Sequence, residues 1–144
     1  GLNATAFPSG VMTMPIEATE HTGPVVIWRK ELRPDSAGDG QYRGGLGQII
    51  EIAPAAGLEL EFSAMFDRIQ HAPRGRNGGR DGAAGMAALD DGTRLNPKGW
   101  QHVPAGRRLV LHLPGGGGYG DPARRDPAAR AGDLVKGYVS GESR

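Results

Sequence analysis

Glycine and proline limit the fold of this chain more than any other feature of its sequence. The 144 residues include 25 glycines and 11 prolines, one quarter of the chain. Neither residue is favoured inside a helix or a central strand, so the regular elements must be short. Because these residues cluster between apolar runs, the pattern indicates a folded, loop-rich chain rather than a disordered one. The length suits one domain with a modest core.

Apolar runs between these clusters predict several short strands. The segments with strand character are 25–33, 48–52, 58–62, 86–89 and 108–113. In the third segment, strict alternation directs Leu58, Leu60 and Phe62 towards a core, which is the clearest period-two signal in the chain. The leucines of the last segment face inward, opposite His112. Asp90-Asp91-Gly92 after the fourth segment predicts a hairpin turn.

One helix is predicted near the end of the chain. Asp126 is a good N-cap, Pro127 suits the first helical position and Gly137 suits the C-terminal end. The helix is short, so we expect it to dock through an apolar face. The apolar residues at helical spacing are Ala128, Ala131, Leu134 and Val135.

These elements define the predicted fold class and organisation. Since no helical crossover separates the strands, antiparallel pairing is expected. The class is mainly β (α+β), with short antiparallel strands, long glycine-rich loops and one C-terminal helix. Residues 1–22 are predicted to be an extended lead-in segment, residues 23–121 a β-rich domain and residues 122–144 a helical C-terminal tail. The long loop 73–85 is of a kind that often has a function or binds a partner.

Charge and composition exclude several functional classes. The 17 Lys and Arg against 16 Asp and Glu give a formal charge of +1, so we expect neither nucleic acid nor an anionic membrane as partner. The cluster Arg74, Arg76 and Arg80 is interrupted by Asp81 and has no interleaved aromatic residue, which favours a solvated loop. The chain has no cysteine, which excludes disulfides, thiolate zinc sites and cysteine nucleophiles.

The sequence also predicts a location. No apolar run approaches the roughly 20 residues that a membrane helix needs. Residues 1–10 lack the basic start and the apolar stretch of a signal peptide. We therefore expect a cytoplasmic protein, with which the lack of cysteine is compatible.

The glycine run at 115–120 is the most conspicuous motif. It matches G-x-G-x-x-G, but Asp121-Pro122 follows and no helix begins there, so a dinucleotide site is not expected. Two interpretations remain: the amides form a nest for an anion, or the glycines let another backbone approach closely, which we favour. The residues predicted as an anion- or partner-binding loop are Gly116, Gly117, Gly118 and Tyr119.

Three residues are weak candidates for a catalytic role. Glu17 and His21 lie near each other and would contribute to a site shared with another chain; the alternative is a solvated polar segment. Arg43 is suited to clamp a carboxylate or phosphate, or else to tie a turn together through Asp35 or Asp39. No histidine has metal-ligand spacing, so no metal site is predicted in this chain.

Several sequence blocks resemble the hydantoinase B family, in the family's order. The blocks are residues 4–10, 15–17, 31–36 (ELRPDS), 42–47 (YRGGLG), 114–122 (PGGGGYGDP) and 126–140. The family includes B-type subunits of ATP-dependent hydantoinases, the second half of 5-oxoprolinase and a large subunit of ketone carboxylases. The chain resembles only the C-terminal portion of these proteins. It departs from the family pattern at 21–23 and 69–74, which are expected to be loops.

The resemblance implies that two types of subunit carry out different steps of the reaction. In such enzymes an A-type subunit uses ATP to phosphorylate a carbonyl oxygen, and the B-type subunit handles the activated intermediate at a metal held by His and Asp. Those ligands lie in the family's N-terminal part. We therefore expect no cofactor in this chain, and ATP with Mg²⁺ and a divalent metal in partner chains or in that part. The expected partners are an A-type ATP-using subunit and the N-terminal part of a B-type subunit, in a hetero-oligomer.

The leading hypothesis is the C-terminal part of the B-type subunit of an ATP-dependent cyclic-amide hydrolase, inactive by itself. The nearest alternative is a component of an ATP-dependent acetone or acetophenone carboxylase. A non-catalytic assembly subunit, whose strand edges are covered by partners, is the alternative from another class. A free-standing sugar- or peptide-binding β module is more remote, because Trp28 and Trp100 are the only tryptophans available as platforms.

Overall fold

Short antiparallel strands dominate the structure. The computed structural model describes residues 1–3 and 14–141. Its elements are α1 (Ile16–Thr22), β1 (Val25–Leu32), β2 (Gln48–Pro54), β3 (Leu60–Met65), β4 (Met86–Leu89), β5 (Lys98–Val103), β6 (Leu109–His112), a 3₁₀ turn (Pro122–Arg124) and α2 (Pro127–Val135). Every named strand pair is antiparallel, which confirms the predicted mainly β class. The block 4–10 lies outside the described residues.

Two sheets enclose the apolar core. One sheet has the order β1-β2-β6-β4, and the other pairs β3 with β5. Leu109 and Leu111 of the first sheet are buried against Val103 of the second, and Leu60 and Phe62 pack onto this cluster. Burying a side chain of this size contributes about 1.5–3 kcal/mol. The inward orientation of the leucines in β6 is thereby confirmed.

All five predicted strand segments contain a strand, with one correction at a strand end. Leu58 lies before β3 and is 47% exposed, so its predicted core position is wrong. Its amide donates to the Ala55 carbonyl at 2.9 Å, which makes it part of a turn that contains Gly57 at φ +79°. The predicted hairpin after β4 is confirmed: Leu89 and Thr93 are bonded across it, and Gly92 has φ +90°.

Two elements differ from the sequence-based expectation. Residues Ile16–Thr22 form α1, so the extended lead-in predicted for 1–22 is wrong over these residues. The helix is held by Glu20, whose carboxylate accepts from the Ile27 amide at 2.7 Å. Strand β5 has no counterpart among the predicted strands, because Gly99 and polar residues hide its alternation; its inward residue at the end is Val103.

Helix α2 forms where it was predicted, but it docks differently. The Asp126 side chain accepts from the Ala128 amide at 3.0 Å, as an N-cap does. The expected apolar docking face is wrong, since Leu134 is 47% and Val135 88% exposed. The buried residue of the helix is Asp133. A polar contact, described below, therefore holds α2 in place.

Glycine backbones pack directly against one another beside the sheets. We call this region, formed by segments 36–47, 73–83 and 114–120, the glycine layer. The Gly116 carbonyl accepts from the Gly38 amide at 2.8 Å, and the Gly116 amide donates to Gly45, also at 2.8 Å. Gly118 is bonded in the same way to Arg76 and Arg80, both at 2.9 Å. Gly116 thus bonds to segment 36–47 and Gly118 to segment 73–83.

The layer depends on the missing side chains of its glycines. A Cβ added at Gly44, Gly115 or Gly118 would overlap a backbone carbonyl of another segment. This geometry agrees with the interpretation that the run 115–120 admits a closely packed backbone. The chain turns only at the end of the run, where Gly120 has φ +75°.

The part of the chain that the structure describes contains no helix long and apolar enough to span a membrane.

A matched pair of glycine substitutions tests the packing of the layer. We expect Gly118→Ala to lower the free energy of unfolding by about 3 kcal/mol, because its Cβ would overlap the Asp39 carbonyl and backbone cannot yield as a side chain does. Gly132→Ala, in α2 with open space around it, should raise it by up to about 1 kcal/mol. Urea unfolding followed by circular dichroism measures both. Similar effects of the two substitutions would contradict the close packing.

Candidate functional site

The glycine layer brings separate sequence blocks together at its surface. Tyr42 of the YRGGLG block and Tyr119 of the PGGGGYGDP block exchange two backbone hydrogen bonds, each 2.9 Å long. Their rings lie 6.4 Å apart and are tilted by 43°. On its other side Tyr119 forms a parallel bridge with Arg76. Bridge partners place their side chains on the same face, so Tyr42, Tyr119 and Arg76 form a row.

Asn77 fixes the end of this row. Its backbone has φ +49°, the left-handed conformation that Asn tolerates better than most residues. Its side-chain amide donates to the Tyr119 hydroxyl oxygen at 2.6 Å. The hydroxyl hydrogen of Tyr119 has no acceptor among the contacts of this cluster. The cluster is therefore positioned by backbone and side chain, and it presents a hydrogen-bond donor outward.

The predicted glycine loop uses its amides internally. The amides of Gly116, Gly118 and Tyr119 donate to the carbonyls of Gly45, Arg80 and Tyr42, at 2.8 to 2.9 Å. An anion would have to displace these bonds, so an anion nest gains no support from these three groups. The Tyr119 side chain, 51% exposed, is the part of the loop that faces solvent. Its role in binding a partner stays a prediction.

Arg43 links the glycine layer to α2. Its Nε donates to Asp133 Oδ2 at 3.1 Å, and its Nη1 donates to the Gly44 carbonyl at 2.6 Å. Arg125 donates to the same Asp133 oxygen at 2.5 Å. The guanidinium of Arg43 also lies 5.2 Å from the ring centre of Tyr138. The expected partners Asp35 and Asp39 are wrong: the carboxylate that ties Arg43 is Asp133.

Burial makes this triad a structural anchor. The side chains of Arg43, Arg125 and Asp133 are only 11%, 9% and 12% exposed. Asp35 supports the same segment, since its carboxylate accepts from the Ser140 amide at 3.0 Å and its amide donates to the Tyr138 carbonyl at 3.0 Å. Removing one member of such a buried cluster is costly, because the remaining charges lose their compensation.

A cleft of about 380 Å³ opens between the glycine layer and α2. Its charged lining consists of Arg43, Arg80, Arg125, Arg130, Asp35, Asp39, Asp81 and Asp133. The numbers of positive and negative side chains are equal, so the cleft has no excess charge that would select an anion or a cation. Three of these charged side chains, Arg43, Arg125 and Asp133, already form ion pairs with one another.

The remaining candidates lie at the surface of α1. Glu17 and His21 are exposed on this helix, and Glu20 between them is engaged by the Ile27 amide. Within residues 1–3 and 14–141, no group of three or more His, Asp or Glu side chains is placed to hold a metal ion. The structure does not bring Glu17 and His21 to the Arg43 triad, whose charged members come from other segments.

The two tryptophans do not form a joint platform on one sheet. Trp28 lies on β1, is 65% exposed and is approached by the guanidinium of Arg108, 5.4 Å from a ring centre. Trp100 lies on β5 of the other sheet and is 76% exposed. This placement favours neither a sugar- nor a peptide-binding groove built from both rings.

Comparison with known proteins gives a family match over most of the chain. A family model described as Hydantoinase B/oxoprolinase matches residues 1–122. Caprolactamase subunit beta of Pseudomonas jessenii is 32% identical over 146 residues, which cover 90% of this chain and 24% of the relative. 5-Oxoprolinase 1 of Arabidopsis thaliana is 40% identical over 113 residues, which cover 76% of this chain and 9% of the relative. The chain thus spans less than a quarter of either relative.

Two solved structures have the same fold over this length. The ATP-dependent caprolactamase from Pseudomonas jessenii superposes with a TM-score of 0.74 at 28% identity, over 90% of this chain and 24% of that one. Nucleotide-free acetone carboxylase superposes with a TM-score of 0.76 at 23% identity, over 98% of this chain and 24% of that one. The second likeness concerns the fold alone.

Removal of the Asp133 carboxylate tests the anchor. We expect Asp133→Asn to lower the free energy of unfolding by about 3 kcal/mol and to release α2, because two buried guanidiniums lose their shared counter-charge. Asp126→Ala, which removes only the N-cap of the same helix, should cost about 1 kcal/mol. Hydrogen–deuterium exchange across residues 127–138 reports the release. Equal exchange in the two variants would contradict an anchor at Asp133.

His112 gives a pH-dependent prediction. Partial burial, followed by the nearby Arg33, Arg29 and Arg94, lowers the pKa of His112 below its ordinary value of 6.5. The folded chain therefore binds fewer protons than the unfolded chain between the two pKa values, so stability falls as the pH drops through about 6.5 and levels off below the folded pKa. His112→Gln should remove this part of the slope, measured as urea midpoint against pH. An unchanged slope would contradict the assignment.

Proposed function

We propose, because this chain belongs to the Hydantoinase B/oxoprolinase family, that it forms the C-terminal part of the B-type subunit of an ATP-dependent cyclic-amide hydrolase. The observation that carries the proposal is the match to caprolactamase in both sequence and fold. The family description and the 5-oxoprolinase relative name the same chemical class, a cyclic amide.

The proposal assigns the chain a supporting part in the reaction. An A-type subunit would use ATP with Mg²⁺ to phosphorylate the amide carbonyl, and the N-terminal part of the B-type subunit would hold a divalent metal. The described residues of this chain offer no cluster for a metal, so no step through it is assigned to them. The relative named as a beta subunit supports a hetero-oligomer. We place the enzyme in the cytoplasm.

The activity of the complete enzyme tests the proposal. We expect the enzyme that contains this chain to form ADP only when a cyclic amide such as hydantoin, 5-oxoproline or caprolactam is present, and to open the ring in step with ADP formation. The isolated chain should show neither reaction, because its described residues offer no cluster of His, Asp or Glu for the metal that the proposal requires. Coupled measurements of ADP and ring-opened product check this. ADP formation at the same rate with and without each of the three amides would contradict the proposed function.

The ketone carboxylase is the alternative within the family, favoured by the fold shared with acetone carboxylase. It predicts that ADP formation requires bicarbonate and a ketone.

A non-catalytic assembly role is the alternative that involves no enzymatic activity of this chain. Substitutions at two positions distinguish this assembly role from a catalytic one. They are made at Gly117, whose Cβ would overlap the Arg74 carbonyl, and at Tyr119. Loss of assembly with normal turnover per assembled enzyme indicates a structural part, whereas intact assembly with lost turnover indicates a part in the site.

A further inference from the structure

The row Tyr42–Tyr119–Arg76, with Asn77, is an unusual surface, which we call the tyrosine row. Both tyrosines are more than half exposed as residues, Tyr42 at 62% and Tyr119 at 51%. Tyrosine and arginine are enriched at the centres of protein interfaces, because they combine apolar area with polar ends. Exposed rings alone would not identify a partner, but three further properties of the row do so.

The first property is rigidity. Tyr42 and Tyr119 are bonded to each other through their backbones, and Arg76 is bonded to both neighbours of Tyr119, Gly118 and Gly120. The side-chain bond from Asn77 holds the Tyr119 hydroxyl in place. A group held in this way loses little conformational freedom when it binds, which favours affinity.

The second property is charge. Arg76 is exposed, and no ion pair of its guanidinium is found among the described residues. In contrast, Arg29 on β1 and the two arginines just before β6, Arg107 and Arg108, are each within ion-pair distance of carboxylates of this chain. The guanidinium of Arg76 is thus a planar donor whose natural complement is a carboxylate.

The third property is the direction of the hydrogen bond at Tyr119. Its hydroxyl oxygen accepts from Asn77, which leaves the hydroxyl hydrogen for an outside acceptor. Side by side, Tyr119 and Arg76 offer donors and no negative charge. The matching surface must carry oxygen acceptors, at least one of them ionised, beside an apolar group that covers the rings.

We propose that the tyrosine row docks an acidic protein segment from the remainder of the B-type subunit. The proposal rests on the proposed function, since the chain spans about a quarter of the caprolactamase subunit and so leaves most of that enzyme outside it. A carboxylate of the segment binds Arg76, and its apolar residues cover Tyr42 and Tyr119. The row would thereby fix the C-terminal part onto the rest of the enzyme.

Tyrosine labelling tests the docking in the enzyme as it exists. Tetranitromethane nitrates exposed tyrosines, and peptide mass spectrometry gives the rate at each ring. We expect nitration of Tyr42 and Tyr119 to be slower in the complete enzyme than in the isolated chain by about fivefold or more, as for rings that enter an interface core. Tyr138, half-buried against Arg43, is the internal control and should change little. Equal rates in both samples overturn the proposal.

Ionic strength and charge reversal test the chemistry of the partner. In the wild-type complete enzyme, raising the salt concentration should speed nitration of both rings, because salt screens the attraction between Arg76 and the carboxylate of the segment. Arg76→Glu should also speed nitration of both rings, and Arg76→Lys should speed it less. The control is Arg94→Glu, which replaces another exposed arginine after β4 and should leave the nitration rate unchanged. Protection that is insensitive to salt and to Arg76→Glu overturns an acidic partner. Protection of the isolated chain by caprolactam or ATP with Mg²⁺ overturns a protein partner.

The same samples separate the two proposals. Amide-dependent ADP formation is measured on the complete wild-type enzyme before labelling. Amide dependence with unprotected tyrosines leaves the proposed function standing and removes the docking surface. If the tyrosines are protected but ADP formation does not depend on the amide, the docking surface stands and the proposed function is removed.

Discussion

Close packing of backbone against backbone in the glycine layer is the constraint on which the rest of the structure depends. Gly44, Gly115 and Gly118 have no Cβ, so carbonyls of other segments lie where side chains would otherwise be. The hydrogen bonds that result satisfy the backbone of segments that belong to no sheet. Through them, residues more than seventy positions apart, such as Tyr42 and Tyr119, acquire fixed neighbours.

The attachment of α2 follows from the same layer. A short helix needs tertiary contacts to persist, and here the contact is a buried carboxylate between two guanidiniums instead of an apolar stripe. Such a triad contributes little net stability over an apolar replacement, because its charges must be desolvated. Its geometry is specific, however: it fixes the rotation of the helix and leaves Leu134 and Val135 facing outward.

What the sequence predicts well are features that depend on neighbours in the chain. The alternation in β3 and β6, the hairpin at Gly92 and the cap at Asp126 are local signals, and the structure confirms them, apart from Leu58 at a strand end. The partner of Arg43 lies 90 residues away, and no local pattern indicates it. The same holds for Arg76: the sequence has no aromatic residue near it, yet the fold sets Tyr119 beside it.

This difference between local and distant contacts changes which residues are available for function. A direct role of Arg43 on a substrate requires it to leave Asp133 and Gly44, which hold it at 3.1 and 2.6 Å in a nearly buried site. Tyr119 and Arg76 can bind an outside group without breaking any contact of the fold, because a hydroxyl hydrogen and a guanidinium of this row have no use inside the described chain. Since the amides of Gly116, Gly118 and Tyr119 are already bonded to carbonyls of other segments, the groups of this loop that stay available for recognition are the side chains that the layer displays.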